Sequence, residues 1–323
     1  MKKFSPIFLM IFTAVSVMAQ PIFCEPEAKT RVLLIGDSWT WYMNRYNSFN
    51  NTFNENDRSD LLATGDVTSF PGARASDWIQ PDNLALIDGE LAANPDLKVV
   101  QIMLGANEML GGRSLDGWYA GMTAAQELAL RQEVAANINT IIDHIKAQNP
   151  DLKFLVTFYD YMGFDAAIET ALILFPEIAD LWNDVLNDLD NPTTERLNTA
   201  FREMSASVIS DLNGLDNVSF VEYWGLMQNQ YGFPADGINP GDIALPGDVT
   251  KGAPGESLGF YGMDALHFNQ EGYAKVAAYL WDNYYAEQLC ITQSEFVAAI
   301  TDCSTSGGNP SKMIRWMQEH RCK

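Results

Sequence analysis

Short apolar runs alternate along the chain with stretches in which apolar residues recur every three or four positions. Val32-Leu33-Leu34-Ile35, Val99-Val100-Gln101-Ile102-Met103-Leu104, Phe154-Leu155-Val156-Thr157-Phe158 and Val218-Ser219-Phe220-Val221 have the length and composition of buried strands. Asp66-Val67-Thr68-Ser69-Phe70, broken at Pro71-Gly72, predicts a fifth strand. Val134, Ile138, Ile141, Ile142 and Ile145 fall on one face of a long helix. Tyr273, Val276, Ala277, Leu280 and Tyr284 mark a final helix that begins at Gln270. Ile168, Leu172, Leu174, Ile178 and Leu181 predict helix within 160–192, a segment longer than a connection requires. Strands alternating with helical patterns predict βαβ units, hence an α/β fold with a mostly parallel five-stranded sheet covered on both faces. Residues 47–65 are polar and read as surface. Residues 224–262 are rich in Gly and Pro and read as a long irregular loop, a feature that in compact domains is usually functional or disordered.

The chain opens differently. Lys2 and Lys3 precede the apolar run Ile7–Phe12, and small residues Val17 and Ala19 stand before a cleavage position after Ala19. That pattern predicts a secretory signal over residues 1–19, with an exported, periplasmic or secreted, mature protein. No other stretch predicts a membrane span. The formal charge is −22, and loss of Lys2 and Lys3 takes it to −24. Such a surface repels phosphate backbones and anionic membranes, so neither nucleic-acid binding nor membrane insertion is expected.

Candidate chemistry gathers at two ends of this pattern. Ser38 follows Gly36-Asp37 directly after the first strand, at the carboxyl end where open parallel sheets bind ligands. Gly36 is expected to let the backbone turn sharply there. Of three histidines, only His267 is placed in a loop beside a carboxylate, three residues after Asp264. At that spacing the Asp can accept from one ring nitrogen and leave the other as a base. No cluster of His and Cys has metal-ligand spacing, so no metal mechanism is expected. Gly255-Glu256-Ser257-Leu258-Gly259 fits a nucleophile-elbow pattern, but no buried strand precedes it, and Ser257 reads as a loop serine. With Ser38 as nucleophile, three oxyanion donors are available by position: the N–H of Ser38, the N–H of Gly72 and the side-chain amide of Asn107.

In this arrangement the sequence resembles the SGNH (GDSL) hydrolase family. Gly36-Asp37-Ser38-Trp39 is similar to its first block, Gly72 to the second-block glycine, Gly105-Ala106-Asn107-Glu108 to the third block and Asp264-Ala265-Leu266-His267 to the last. The four blocks occur in family order over roughly residues 31–287. Trp39 stands in place of the common Leu, and Glu108 in place of the usual Asp, while the donor Asn107 is kept. The resemblance implies a flavodoxin-like three-layer α/β/α sandwich, hydrolysis of carboxylic esters and no cofactor. Ser38, His267 and Asp264 are then the expected catalytic residues, and Ser38, Gly72 and Asn107 the expected oxyanion hole. The expected substrate is a small-molecule or glycan ester, with a short acyl group. The alternatives are acyl transfer to a sugar hydroxyl, deacetylation of an O-acetylated glycan, or a non-catalytic exported glycan-binding module that grips through Trp39, Trp41, Tyr42 and Trp78.

The tail carries three of the four cysteines, Cys290, Cys303 and Cys322, and Cys24 lies near the mature start. Residues 291–301 and 310–321 read as helices. A helix from Cys290 to Cys303 holds those Cα atoms about 20 Å apart, too far for a bridge. An antiparallel helical hairpin instead brings Cys290 beside Cys322 and leaves Cys303 for Cys24. The expected organisation is a signal over 1–19, a hydrolase-like domain over 20–289 and a disulfide-tethered helical extension over 290–323.

Overall fold

The computed structural model describes residues 24, 26–306 and 308–322, and the expected signal peptide lies outside the described residues. The chain divides into two compact units, Glu27–Leu289 and a smaller one made from Cys290–Lys323 with the segment ahead of Glu27. In the larger unit five strands form one sheet, all of whose pairings are parallel. They are β1 (Lys29–Gly36), β2 (Leu61–Thr64), β3 (Val99–Met103), β4 (Lys153–Thr157) and β5 (Val218–Val221), in the spatial order β2-β1-β3-β4-β5. Val32–Ile35 and Val99–Met103 are buried throughout, as strands covered on both faces must be. The one polar residue among them, Gln101, accepts from the Tyr285 hydroxyl at 2.6 Å.

Helices cover the sheet on both sides. After β1 come α1 (Ser38–Arg45) and α2 (Ser48–Glu55), and after β2 come α3 (Ala75–Trp78) and α4 (Pro81–Ala93). Then follow α5 (Ala106–Met109), α6 (Ala124–Lys146), α7 (Phe164–Leu174), α8 (Pro176–Asp188), α9 (Thr194–Leu212), α10 (Leu226–Tyr231) and α11 (Gln270–Leu280). One layer packs α1, α2 and α11 together, and the other packs α4, α6 and α9. The buried positions of α6 include Val134, Ile138, Ile141, Ile142 and Ile145, the face that the spacing predicts. This is the three-layer α/β/α sandwich, with further helices at the C-terminal end of the chain.

Two expectations are corrected here. The fifth strand is Leu61–Thr64, not residues 66–70. Thr68 Oγ1 donates to Leu34 O and Ser69 Oγ to Gly65 O, both at 2.6 Å, so the two hydroxyls close a turn in place of a ladder. Only a single bridge, Gly36 to Ser69, remains of the expected strand. The polar stretch 47–65 accordingly contains both β2 and α2, whose Phe49 and Phe53 are buried against Tyr285. An Asn-rich sequence hides that helix, because its apolar content is two rings spaced i, i+4.

The segment 224–262, expected to be a long irregular loop, contains α10 and short helical turns, and its irregular remainder is tied down. Buried Asp160, just after β4, accepts from the N–H groups of Tyr161, Gly225 and Met227, and burial pushes its carboxyl up to about 7. The Gln228 amide donates to Asp248 O, Lys251 O and Gly252 O, and Asn198 donates to Val249 O and Lys251 O.

The smaller unit contains α12 (Gln293–Thr305) and α13 (Ser311–Glu319), linked by Cys24–Cys303 and Cys290–Cys322. Ile291, Cys303, Met313 and Met317 form its core. Among the described residues, no helix is long and apolar enough to cross a membrane.

Candidate active site

The strand order reverses between β1 and β3: the chain runs from β1 to β2 on one side, then returns to lay β3 on the other. A crevice opens at such a switch point, outside the carboxyl ends of the strands. Ser38 follows β1 and Asn107 follows β3, so the two stand on either side of it. Gly36 is required for a steric reason and not for an unusual turn. A Cβ there would lie 2.1 Å from Thr40 Oγ1 and 2.7 Å from Met103 O, so only glycine lets α1 start this close to β3. Asp37 caps α1 by accepting from the Trp39 N–H at 2.9 Å, which sets Ser38 as the first helical residue.

His267 reaches Ser38 from far along the chain. Its Nε2 lies 2.7 Å from Ser38 Oγ, and its Nδ1 lies 2.9 and 3.1 Å from the two oxygens of Asp264. Asp264 Oδ1 also accepts from the N–H groups of Leu266 and His267, which fixes the carboxylate against the turn. That turn is part of a closed loop. Leu258 and Phe268 form an antiparallel bridge, Gly259 N–H donates to His267 O, and Asn269 N–H donates to Ser257 O. Ser257 is buried and donates its hydroxyl to Pro254 O, so it is a loop serine. At the tip of the loop Phe260 (φ 45°), Tyr261 (φ 59°) and Gly262 (φ 81°) are consecutive left-handed residues. That conformation costs a residue with a Cβ about 1–2 kcal/mol.

The oxyanion candidates converge on the same crevice. Gly72 adopts φ +82°, which favours glycine whatever the space around it. Asn107 Nδ2 donates to Ala73 O at 2.8 Å and lies 3.5 Å from Asp37 Oδ2, so its amide ties the Gly72 turn to the end of β3. Among the described residues, neither the Ser38 N–H nor the Gly72 N–H has an acceptor.

Tyr159, which the motif reading does not single out, completes the surroundings together with Glu108 and Tyr42. Tyr159, just after β4, donates its hydroxyl to Asp37 Oδ2 at 2.6 Å. Burial pushes the Asp37 carboxyl up to about 6, and the Tyr159 hydrogen bond opposes that rise. Burial and the Asp37 charge hold the Tyr159 phenol well above its ordinary value, which keeps it a donor. Glu108 Oε1 accepts from the Ala75 N–H at 2.6 Å, so the residue in the place of the usual Asp anchors the segment that follows Gly72. Its second oxygen is buried without a partner, and burial pushes its carboxyl up to about 7. Tyr42 sets its ring 4.9 Å from the His267 ring. Strand-end placement is the signal that could have found Tyr159.

Trp39 is not exposed to grip a glycan. It is 2 % exposed and packs its ring edge-on against Tyr159, Phe268 and Tyr273. Trp78 is wholly buried, and Trp41 is half-buried under Arg45. Among the described residues, no group of three or more His, Cys, Asp or Glu side chains is arranged to hold a metal ion.

Comparison with known proteins adds the lineage. Solved structures similar to this chain include an inhibitor-bound aryl esterase from M. Smegmatis, at 12 % identity and TM-score 0.45, covering 80 % of this chain and 99 % of that one. A family 3 carbohydrate esterase from Clostridium thermocellum is 17 % identical with TM-score 0.39, over 79 % and 94 % of the two chains. Another, from Talaromyces cellulolyticus, is 12 % identical with TM-score 0.40, over 79 % and 96 %. No curated protein matches the chain. The model of the GDSL-like Lipase/Acylhydrolase family matches residues 34–275, and the chain belongs to that family, a hydrolase of ester substrates.

Proposed function

We propose that this chain is an exported serine esterase that hydrolyses short-acyl carboxylic esters. The observation that carries the reading is the relay from Ser38 Oγ through His267 to Asp264, made of contacts of 2.7 and 2.9 Å. In it Ser38 Oγ attacks the ester carbonyl while His267 Nε2 takes the hydroxyl proton. Asp264, on Nδ1, holds the tautomer that leaves Nε2 free to accept and stabilises the imidazolium that forms. The carbonyl oxygen turns into an oxyanion among the Ser38 N–H, the Gly72 N–H and the Asn107 amide. His267 then returns its proton to the leaving alcohol, and a water molecule, activated in the same way, releases the acid from Ser38. Asp37 and Tyr159 position the amide of Asn107, and Glu108 positions the turn that carries Gly72.

The short-acyl part of the reading rests on how the interior is filled. Trp39, Tyr159, Phe268 and Tyr273 pack on one another directly behind the nucleophile, and Tyr42 closes in on His267. The segment 224–262 leads straight into the catalytic pair and bounds the crevice on the His267 side. The two disulfides support an oxidising compartment and hence export. The substrate partner is a small-molecule or glycan ester, and neither nucleic acid nor membrane insertion has a part.

A fluorophosphonate probe tests the core of the proposal. Labelling of the Ser38 peptide, abolished in Ser38→Ala and retained in Ser257→Ala, is the expected pattern. Labelling at Ser257, or at neither serine, refutes it. With p-nitrophenyl esters of increasing length, kcat/KM should peak between acetyl and butyryl, and a peak at ten carbons or more refutes the short-acyl assignment.

A further inference from the structure

Half of the large apolar side chains that stand exposed among the described residues lie on two elements that pack on each other. One is the α7–α8 hairpin, whose tip Leu172–Phe175 and following Leu181 are open to solvent, Ile173 to 78 %. The other is the tip of the catalytic loop, where Phe260 is 59 % and Tyr261 87 % exposed. The hairpin is seated on that loop: Trp182 Nε1 donates to Met263 O at 2.7 Å, and Met263 is buried with Ala171 and Ala179. A side chain at Gly262 would come within 3.9 Å of Thr170, on α7. The remaining exposed apolar residues, such as Leu62, Leu115 and Val297, are scattered singly. Isolated exposed apolar residues are ordinary, but a concentration of them on one feature marks a surface that something covers.

The backbone supports this. Two consecutive aromatic residues hold left-handed conformations that a side chain disfavours, and the result is that both rings face outward. Unfavourable backbone persists where surrounding structure enforces it, and here Gly259, Asp264 and Met263 bond across the tip. Charge decides what the surface can meet. Residues 164–190 contain seven Asp and Glu and no Lys, Arg or His, in a chain of net charge −22. An anionic lipid surface is repelled, whereas an uncharged one is not.

We infer that the α7–α8 tip and the Phe260–Tyr261 pair form a docking surface for an uncharged lipid–water interface, and that the enzyme works on esters presented there. The inference rests on the esterase reading and adds where the substrate is held. Docking on the apolar tip, three residues from Asp264 in the chain, sets the crevice of Ser38 and His267 beside the interface without inserting any helix into it.

The experiment compares wild type with the double variant Ile173→Asp, Phe175→Asp, both exposed and outside the catalytic loop. Two substrates are used, dissolved p-nitrophenyl acetate and a tributyrin emulsion, and co-sedimentation is measured with phosphatidylcholine vesicles with and without phosphatidylglycerol. Wild type should sediment with the neutral vesicles and be released as the anionic lipid is added. The double variant should lose neutral-vesicle binding and emulsion rate at least tenfold, since each side chain removed from an apolar phase is worth about tenfold. Its rate on dissolved ester should stay at the wild-type value, and Leu128→Asp, exposed elsewhere on α6, should change neither readout. The inference is overturned if wild type ignores neutral vesicles, or if the double variant keeps the emulsion rate. It is also overturned if wild type is a dimer that the double variant dissociates, or if the variant loses rate on acetylated xylan in place of tributyrin. Failure of both proteins on dissolved ester refutes the esterase reading instead, and the vesicle assay still reads the surface.

Discussion

Glu108→Gln isolates a charge that the fold buries beside its own active site. The carboxyl sits at 4.5 in the unfolded chain and is pushed to about 7 in the folded one, because burial outweighs the Ala75 hydrogen bond and the nearby Arg74. A folded value above the unfolded one means that the native state favours the protonated acid. The stability it contributes is complete below 4.5 and is lost as pH rises through 7. The interval corresponds to about 3 kcal/mol at 1.36 kcal/mol per pH unit. Gln keeps an oxygen for the Ala75 N–H and cannot ionise, so the loss should vanish. Its amide nitrogen meets the site where Oε2 has no partner, which costs about 1 kcal/mol at every pH. Urea unfolding at about pH 5 and about pH 8.5 should therefore show the variant gaining about 2–3 kcal/mol on wild type between the two conditions. Activity on a soluble ester should be retained, since the anchor to Ala75 survives. A stability difference independent of pH would refute the account of Glu108 as a buried, reluctant anion. A loss of kcat with the anchor kept would show that its charge acts on the reaction.

Other consequences are direct. Asn107→Ala should lower kcat by about 10²–10³ with little change in KM, and an unchanged kcat would remove the amide from the oxyanion site. Tyr159→Phe removes a hydrogen bond that favours ionised Asp37, so any acid limb of the kcat/KM profile set by Asp37, near pH 6, should move to higher pH. A limb that stays in place, or moves down, would detach Asp37 from activity. Gly72→Ala meets open space but keeps φ near +82°, and should lose about 1 kcal/mol of stability together with part of kcat. Full activity at wild-type stability would separate that turn from the site.

The sheet was legible wherever apolar runs were long enough to be buried on both faces, as at Val32–Ile35 and Val99–Met103. It was misread at its edge. Leu61-Leu62-Ala63-Thr64 is short and only partly buried, as an edge strand with one neighbour can be, while Val67 and Phe70 imitate a strand in a turn closed by hydroxyls. Of the candidate site, the three side chains that meet, Ser38, Asp264 and His267, were legible because they belong to local motifs whose spacing carries their geometry. The supporting contacts were not readable. The Tyr159 hydroxyl meets Asp37 across 122 positions, and no local pattern encodes such a meeting. Gly36 was correctly marked as necessary but for the wrong reason, since a clash with Thr40 and Met103 is visible only after folding. Trp39 illustrates the same limit: an aromatic beside Ser38 looks free to grip a ligand until its three buried partners are known.

The bridge between Cys24 and Cys303 joins residues 279 positions apart, with the whole Glu27–Leu289 unit lying between them in sequence. The hydrolase is thus a segment of a covalent circle. A protease that cuts one peptide bond inside it linearises the circle and releases nothing, and the new ends stay on one molecule. Two cuts are needed before a fragment can diffuse away, or one cut followed by reduction. Nicked enzyme should accordingly run as a single species until a reductant is added.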